Sequence, residues 1–171
     1  MASLIEELIT TLEQEYEIYQ NLVPIEENKT KIIIKGDIEA LQQITEQEQA
    51  VVEKINHLER KRGEVVKNIG TVINKDPNTL RVQTIIDVLD KQPEEQMKLS
   101  KVHENLKKTV QRLVEINNQN NSLIQQSLEM IEFNMNFITS ARMNTMNNSY
   151  NKGASQFDMP VMGAGIFDTK Q

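Results

Sequence analysis

The sequence predicts an all-α protein: an elongated, coiled-coil-like antiparallel hairpin or bundle of three long helices and one short helix. Apolar residues recur at three- and four-residue steps along most of the 171 residues, and turn-forming residues mark breaks near 36–37, 74–77 and 92–93. Aromatic residues make up only 4% of the chain, and there is no tryptophan. A core of Ile, Leu, Val and Met suits packed helices better than an aromatic-anchored enzyme fold.

The first helix is predicted to begin at Ser3, an N-cap with Glu6 at the capping-box spacing. Pro24 should kink this helix or force a local adjustment. The apolar run 32–34 continues the helix, and Gly36 suits its end. One buried stripe is predicted at helical spacing, formed by Ile5, Leu8, Leu12, Tyr16, Tyr19 and Val23.

The second helix is predicted to start after Asp37, an N-cap in a tight turn. Glu48 and Arg62 interrupt its 3–4 alternation, and such polar seam residues can set the register between helices. Residues 74–77, Asn-Lys-Asp-Pro, end the helix. Its apolar positions are Leu41, Ile44, Val51, Ile55, Leu58, Val65, Ile69 and Val72.

A short helix is predicted from about Asn78 to Asp90, and Pro93 then opens the last helix with two glutamates after it. We expect this helix to reach about Asn147, which is roughly 80 Å at 1.5 Å per residue, and the molecule to be elongated. The domain prediction is a single helical bundle over residues 1–147 and a flexible, apolar-anchored tail over residues 148–171.

The last helix carries two apolar stripes, where a helix in a small bundle needs only one. We expect the first to lie in the core, whereas the second needs a further partner, either within this chain or in another protein. The first stripe consists of Ile124, Leu128, Ile131, Met135 and Ile138, and it continues an upstream stripe of Leu99, Val102, Leu106, Val110 and Leu113. The second, roughly 150° away around the helix, consists of Leu123, Met130, Phe133 and Phe137.

Apolar residues persist into the glycine-containing tail, namely Tyr150, Phe157, Met159, Val161, Met162, Ile166 and Phe167. Disordered tails are usually poor in such residues, so this one either docks on a partner or folds back over its own bundle. Six of the eight methionines follow residue 129. Methionine is common on surfaces that accept varied apolar partners, which favours an external partner.

Residues 117–121 form an amide-rich stretch, Asn-Asn-Gln-Asn-Asn. Amides near a helical seam fix register by hydrogen bonding to a neighbouring helix, and on outer faces they only contact water. The alternative is that they pair with an extended client. We favour the structural role.

Composition argues against several functions. The net charge of −6 is unfavourable for a nucleic-acid or anionic-membrane partner. Without cysteine there is no disulfide or zinc–thiolate site. No segment resembles a signal peptide or a membrane span, so we expect a soluble, cytoplasmic protein. His57 and His103 lack companions at metal-ligand or catalytic spacing, and we therefore predict no enzymatic activity, no cofactor and no metal.

Several segments together resemble the FlgN family of flagellar export chaperones. The segment 35–41 is similar to the turn between the family's first two helices, and 58–62 is similar to the charged segment midway along the second. Residues 117–128 resemble its N-x-x-N-x-x-L-L-x-x-S-L pattern, with Leu123 and Ile124 at the paired leucines. Tyr150 and Gly153 resemble a tyrosine–glycine signature just beyond that helix, and 167–170 is similar to endings of Gram-positive members.

The resemblance implies a small, cytosolic, all-helical protein without enzymatic activity. It implies that the partners are hook-associated proteins of the hook–filament junction. The chaperone keeps their terminal segments from associating and delivers them to the flagellar export apparatus. It also implies that the client contacts lie in the C-terminal part of the chain.

Our hypothesis is helix-in-groove binding of a client segment. Phe133→Ser should weaken client binding while leaving the fold intact, whereas Leu128→Ser should unfold the bundle. The alternative is a non-enzymatic coiled-coil scaffold that self-associates as a homodimer through the second stripe, although we favour a monomer. The predicted client-binding residues are Leu123, Met130, Phe133, Phe137, Tyr150, Phe157 and Phe167.

Overall fold

A computed structural model of the chain describes residues 2–77 and 79–150, with side chains through residue 143. This part of the chain forms four helices and no strand, which confirms the predicted all-α fold of three long helices and one short one. None of the helices described is both long and apolar enough to cross a membrane. The helices are α1 (Ala2–Lys35), α2 (Ile38–Val72), α3 (Val82–Val88) and α4 (Pro93–Tyr150).

The turn between α1 and α2 is built from two residues that were predicted to form it. Gly36 has a φ of +68°, a left-handed conformation that glycine adopts without strain, and it ends α1. Asp37 is the N-cap of α2, and its carboxylate accepts a hydrogen bond from the Ala40 backbone N–H at 3.0 Å. Such a short connection makes α1 and α2 an antiparallel hairpin.

The register of this hairpin is marked by polar pairs between α1 and α2. Lys29 pairs with Glu48, and farther from the turn Arg62 Nη1 lies 3.2 Å from Glu15 Oε2. The two polar interruptions predicted in the second helix, Glu48 and Arg62, therefore both face partners on α1. Tyr19 adds a third link, because its hydroxyl donates to Glu59 Oε1 at 3.0 Å.

Helix α4 runs beside α1 in the same direction. Near the start of both helices, Leu99 and Val102 share a core cluster with Ile5 and Leu8. Toward the end of α1, Asn120 hydrogen-bonds to residues 26 and 30, an offset of 90–94 residues. The core contacts near the start of α1 and the Asn120 hydrogen bonds near its end together keep one face of α4 on α1 from residue 99 to residue 120.

Most of the buried apolar side chains lie near the N-terminus of α1, where all four helices meet. Helix α3 contributes Ile85 and Ile86 to this cluster and closes that end of the bundle. A second, much smaller cluster lies nearer the Gly36 turn and consists of Leu22, Ile55 and Leu113. The first cluster is formed by Ile5, Leu8, Ile9, Leu12, Val65, Ile69, Ile85, Ile86, Leu89, Leu99, Val102 and Leu106.

Some predicted helix boundaries change. Helix α1 begins at Ala2, so Ser3 lies inside the helix. Pro24 lies within α1, which continues on both sides of it. The short helix starts at Val82, since the turn that joins Thr79 N–H to Asp76 O uses the preceding residues. Helix α4 continues to Tyr150, three residues beyond the expected end.

The chain divides into two units, residues 1–127 and 128–171. The four helices pack together within the first unit, which holds both core clusters and the ion pairs described above. The second unit begins in the course of α4 and contains its residues from Leu128 onward.

Candidate functional site

The first stripe of the last helix is only partly in the core, which corrects the prediction. Leu99, Val102, Leu106 and Leu113 are buried as expected, whereas Ile124 is half-buried. From residue 128 onward the stripe is exposed, by 48–61% of each side chain, at Leu128, Ile131, Met135 and Ile138.

The reason lies in where α1 ends. The offset of 90 residues that joins Thr30 to Asn120 brings Lys35, the last residue of α1, level with about residue 125 of α4. By the same offset, α1 has no residue in register with α4 beyond about residue 125. The apolar repeat shows that a face of the helix is apolar. It does not show whether that face is buried, because burial also requires a partner helix that is long enough to cover it.

The second stripe is also open. Met130, Phe133 and Phe137 are 66–69% exposed, whereas Leu123, in the first unit, is half-buried. Tyr150 is the last residue of α4, with a side chain outside the described part. Phe157 and Phe167 lie outside the described residues altogether.

Residues 128–143 therefore expose eight large apolar side chains on a single stretch of helix. Phe133 and Phe137 alone expose on the order of 200–300 Å², since an aromatic side chain carries roughly 150–250 Å². Together the eight side chains expose more apolar surface than the few hundred Å² of the largest contiguous patch on a typical monomer, and this surface is spread over more than one face of the helix. Such a surface can bind apolar groups. The eight are Leu128, Met130, Ile131, Phe133, Met135, Phe137, Ile138 and Met143.

The hydroxyl groups of this stretch need no outside partner. Thr139 donates to Met135 O at 2.8 Å, and Ser140 donates to Asn136 O at 2.9 Å, one turn back in each case. These hydrogen bonds satisfy the hydroxyl donors within the helix itself. The two hydroxyl groups therefore do not compete with the apolar side chains for a partner.

Within the first unit, a carboxylate is buried between α1 and α2. Glu15 is fully buried, and neither of its carboxyl oxygens accepts a well-formed hydrogen bond from the residues described, although the Arg62 guanidinium lies 3.2 Å away. Burial raises the pKa of Glu15 to about 7, against the lowering effect of Arg62. Beside it, burial and the hydrogen bond to Glu59 raise the pKa of Tyr19 to about 12.

A second polar layer joins α1 and α4. The Asn120 amide is 2% exposed and donates to Glu26 O at 3.2 Å and Glu26 Oε2 at 3.1 Å, while its oxygen accepts from the Thr30 hydroxyl at 2.6 Å. Burial raises the pKa of Glu26, and a hydrogen bond with the Glu48 carboxyl raises it further. Asn120 therefore has the structural role predicted for the amide-rich stretch, whereas Asn117 and Asn121 are exposed.

Glu15 and Glu26 are absent from the stripe predicted by the sequence. That stripe passes through Tyr16 and Val23, which are only half-buried. An acidic residue at a repeat position is the signal that could have found both buried carboxylates. The 3–4 repeat that follows the buried side of α1 runs through Ile5, Leu8, Leu12, Glu15, Tyr19, Leu22 and Glu26.

The two histidines lie on the bundle surface in different places. His103 borders a cavity of about 320 Å³ with Tyr19, Glu59 and Arg62, and burial lowers its pKa. His57 lines a shallow groove of about 630 Å³ between α1 and α2. Among the described residues, no group of three or more His, Asp or Glu side chains is placed to hold a metal ion.

Comparison with known proteins gives one match. The sequence model described as FlgN protein matches residues 1–156, which is most of the chain and includes the whole of α4. No curated protein and no solved structure shows a significant match.

Proposed function

The chain belongs to the FlgN family of flagellar export chaperones, and we propose that it binds hook-associated proteins of the hook–filament junction in the cytoplasm. Binding keeps the terminal segments of these clients from associating prematurely, and the chaperone then delivers them to the flagellar export apparatus. It works by binding alone, without catalysis, cofactor or metal.

The exposed apolar stretch of α4 is the observation that supports this proposal. A client segment that must stay unassembled before export has an apolar face that would otherwise associate with the same face of other client molecules. Covering that face requires a complementary apolar surface, which residues 128–143 provide. Transferring one phenylalanine from water is worth about 2 kcal/mol, so a few anchors give binding in the micromolar range once ordering costs are included.

The proposed contacts begin with Met130, Phe133 and Phe137, whose side chains are two-thirds exposed. Leu123 borders this surface along the chain. The proposal extends to Tyr150, Phe157 and Phe167, whose apolar side chains would anchor the same client farther along. A chain truncated after Asn148 tests this extension, because it should capture the client less well than the full chain does.

A matched pair of substitutions on α4 tests the main proposal. Met130 and Met97 are 68% and 70% exposed, but only Met130 lies in the apolar stretch. Met130→Ser and Phe133→Ser should weaken the binding of a purified hook-associated protein, measured by calorimetry, and leave the melting temperature unchanged. Met97→Ser should change neither quantity. Equal loss of binding in both methionine variants, or no loss in either, would refute the proposal.

The same surface also supports the second candidate, a scaffold that forms a homodimer. Sedimentation of the free chain and of its mixture with a hook-associated protein separates the two. A monomer that becomes a one-to-one complex supports the chaperone, and a tight dimer without affinity for the client supports the scaffold.

A further inference from the structure

Seven of the eight exposed apolar side chains of residues 128–143 form two separate seams, and Met143 lies outside both. Seam A consists of Leu128, Ile131, Met135 and Ile138, and seam B consists of Met130, Phe133 and Phe137. Each seam repeats at steps of three and four residues, the spacing with which a helix contacts one neighbouring helix. At 100° per residue the centres of the two seams lie about 150° apart.

The residues between the seams differ on the two sides of the helix. On one side lie Asn134 and Ala141, which are uncharged and seven residues apart. On the other side Glu132 flanks seam A and Glu129 flanks seam B. Over residues 128–141, apolar and small neutral residues thus occupy an arc of roughly 220°, which is wider than the stripe of about 100° that faces a single neighbouring helix. Arg142 falls on the side of seam A, at the C-terminal end of the stretch.

We propose that residues 128–143 form the middle helix of a three-helix assembly, in which two amphipathic helices of a single client molecule occupy seams A and B. This proposal rests on the chaperone function proposed above. The stretch of 16 residues is about 24 Å long, so each client helix needs about 16 residues to match it.

Area favours two client helices over one. Each seam exposes on the order of 300–400 Å², about half of what one partner contributes to a standard stable interface. Both seams together approach that size.

A second copy of the chain is a poorer fit. A dimer formed through one seam leaves the other seam exposed. Pairing of seam A with seam B is head-to-tail, so it continues into a ring or an open chain of more than two copies. One client that supplies both helices closes the assembly as a one-to-one complex.

Two variants of the full chain, one for each seam, test the proposal. Ile131→Glu places a charge in seam A and Phe133→Glu places one in seam B. Val114→Glu is the matched control, since Val114 is 52% exposed on α4 and Ile131 is 56% exposed. The probes are an intact hook-associated protein and its N-terminal and C-terminal amphipathic segments as separate peptides. Binding is measured by calorimetry and stoichiometry by native mass spectrometry.

We expect wild type to bind both peptides at once as a ternary complex. Each seam variant should lose at least tenfold in affinity for one peptide, a different one in each case, and at least tenfold for the intact client. Competition of the two peptides for one seam, loss of the same peptide in both variants, or two copies of the chain per client would overturn the two-helix proposal while leaving the chaperone function standing. Failure of wild type to bind the intact client would overturn both.

Discussion

The buried carboxylate of Glu15 makes the stability of the helical bundle depend on pH. Its side chain is fully buried, and Arg62 approaches one carboxyl oxygen at 3.2 Å without forming a good hydrogen bond. Glu59 and Tyr19 lie in the same cluster, and His103 faces it from α4. Replacing Glu15 by glutamine removes the ionisation and keeps the shape of the side chain.

The expected size follows from the pKa of Glu15, about 7 in the folded protein against an ordinary value of 4.5. Between these two values the folded state binds a proton that the unfolded chain has released, so the free energy of unfolding falls as pH rises from 4.5 to 7 and levels off above. The loss is about 3 kcal/mol at about 1.4 kcal/mol per pH unit, with the attraction of Arg62 already included. The raised pKa of Glu26 likewise lowers the free energy of unfolding as pH rises.

Urea unfolding followed by circular dichroism at pH 5 and pH 8.5 measures this effect. We expect Glu15→Gln to match wild type at pH 5 and to exceed its stability by about 3 kcal/mol at pH 8.5. Glu13→Gln, on an exposed position of the same helix, should keep the pH dependence of wild type. If Glu15→Gln and wild type unfold at the same urea concentration at pH 8.5, Arg62 compensates fully for the burial of Glu15 and the reasoning fails.

Two further predictions concern the packing of the bundle. Asn120→Ala should lower the free energy of unfolding by about 2–3 kcal/mol, because it leaves Glu26 and Thr30 without their buried partner; Asn121→Ala, on the exposed face beside it, should stay within about 0.5 kcal/mol in the same urea titration. Gly63→Ala should raise the stability by about 1 kcal/mol, since a Cβ there meets no atom within 4 Å. Gly70→Ala should fail to do so in thermal unfolding, because its Cβ would lie 3.2 Å from Lys75 O and 3.3 Å from Pro77 Cα.

Local chemistry made much of the fold predictable. The turn at Gly36 and Asp37 follows from the backbone freedom of glycine and the capping preference of aspartate, neither of which depends on the rest of the molecule. Glu48 and Arg62 were recognised as seam residues because they interrupt an apolar repeat. Their partners, Lys29 and Glu15, lie on α1. Which residues become partners depends on how α1 and α2 align, and the spacing of residues within one helix does not determine that alignment.

The apolar faces of the last helix were predictable from the sequence, but which of them is exposed was not. The sequence located two apolar faces on the last helix but left open whether the second is covered by this chain itself, and the structure exposes seam B. Seam A was assigned to the core, and Leu128 is 58% exposed instead. Leu128→Ser is therefore expected to leave the bundle folded, in contrast to Leu106→Ser, whose leucine is 5% exposed. The level at which α1 ends against α4 decides the difference, and that level is a property of the packed helices.

The two-residue turn at Gly36 also sets the order in which the chain can fold during synthesis. The pairs between α1 and α2 join residues 19–47 apart, whereas α1 meets α4 across 85–94 residues. At ribosomal speeds of roughly 5–20 residues per second, α1 waits about 5–20 s for α4 and meets α2 well before. The hairpin is thus a template onto which α4 closes last. Residues 128–143 are synthesised after the segment of α4 that completes the core. When they leave the ribosome, that earlier segment of α4 already occupies the apolar face of α1.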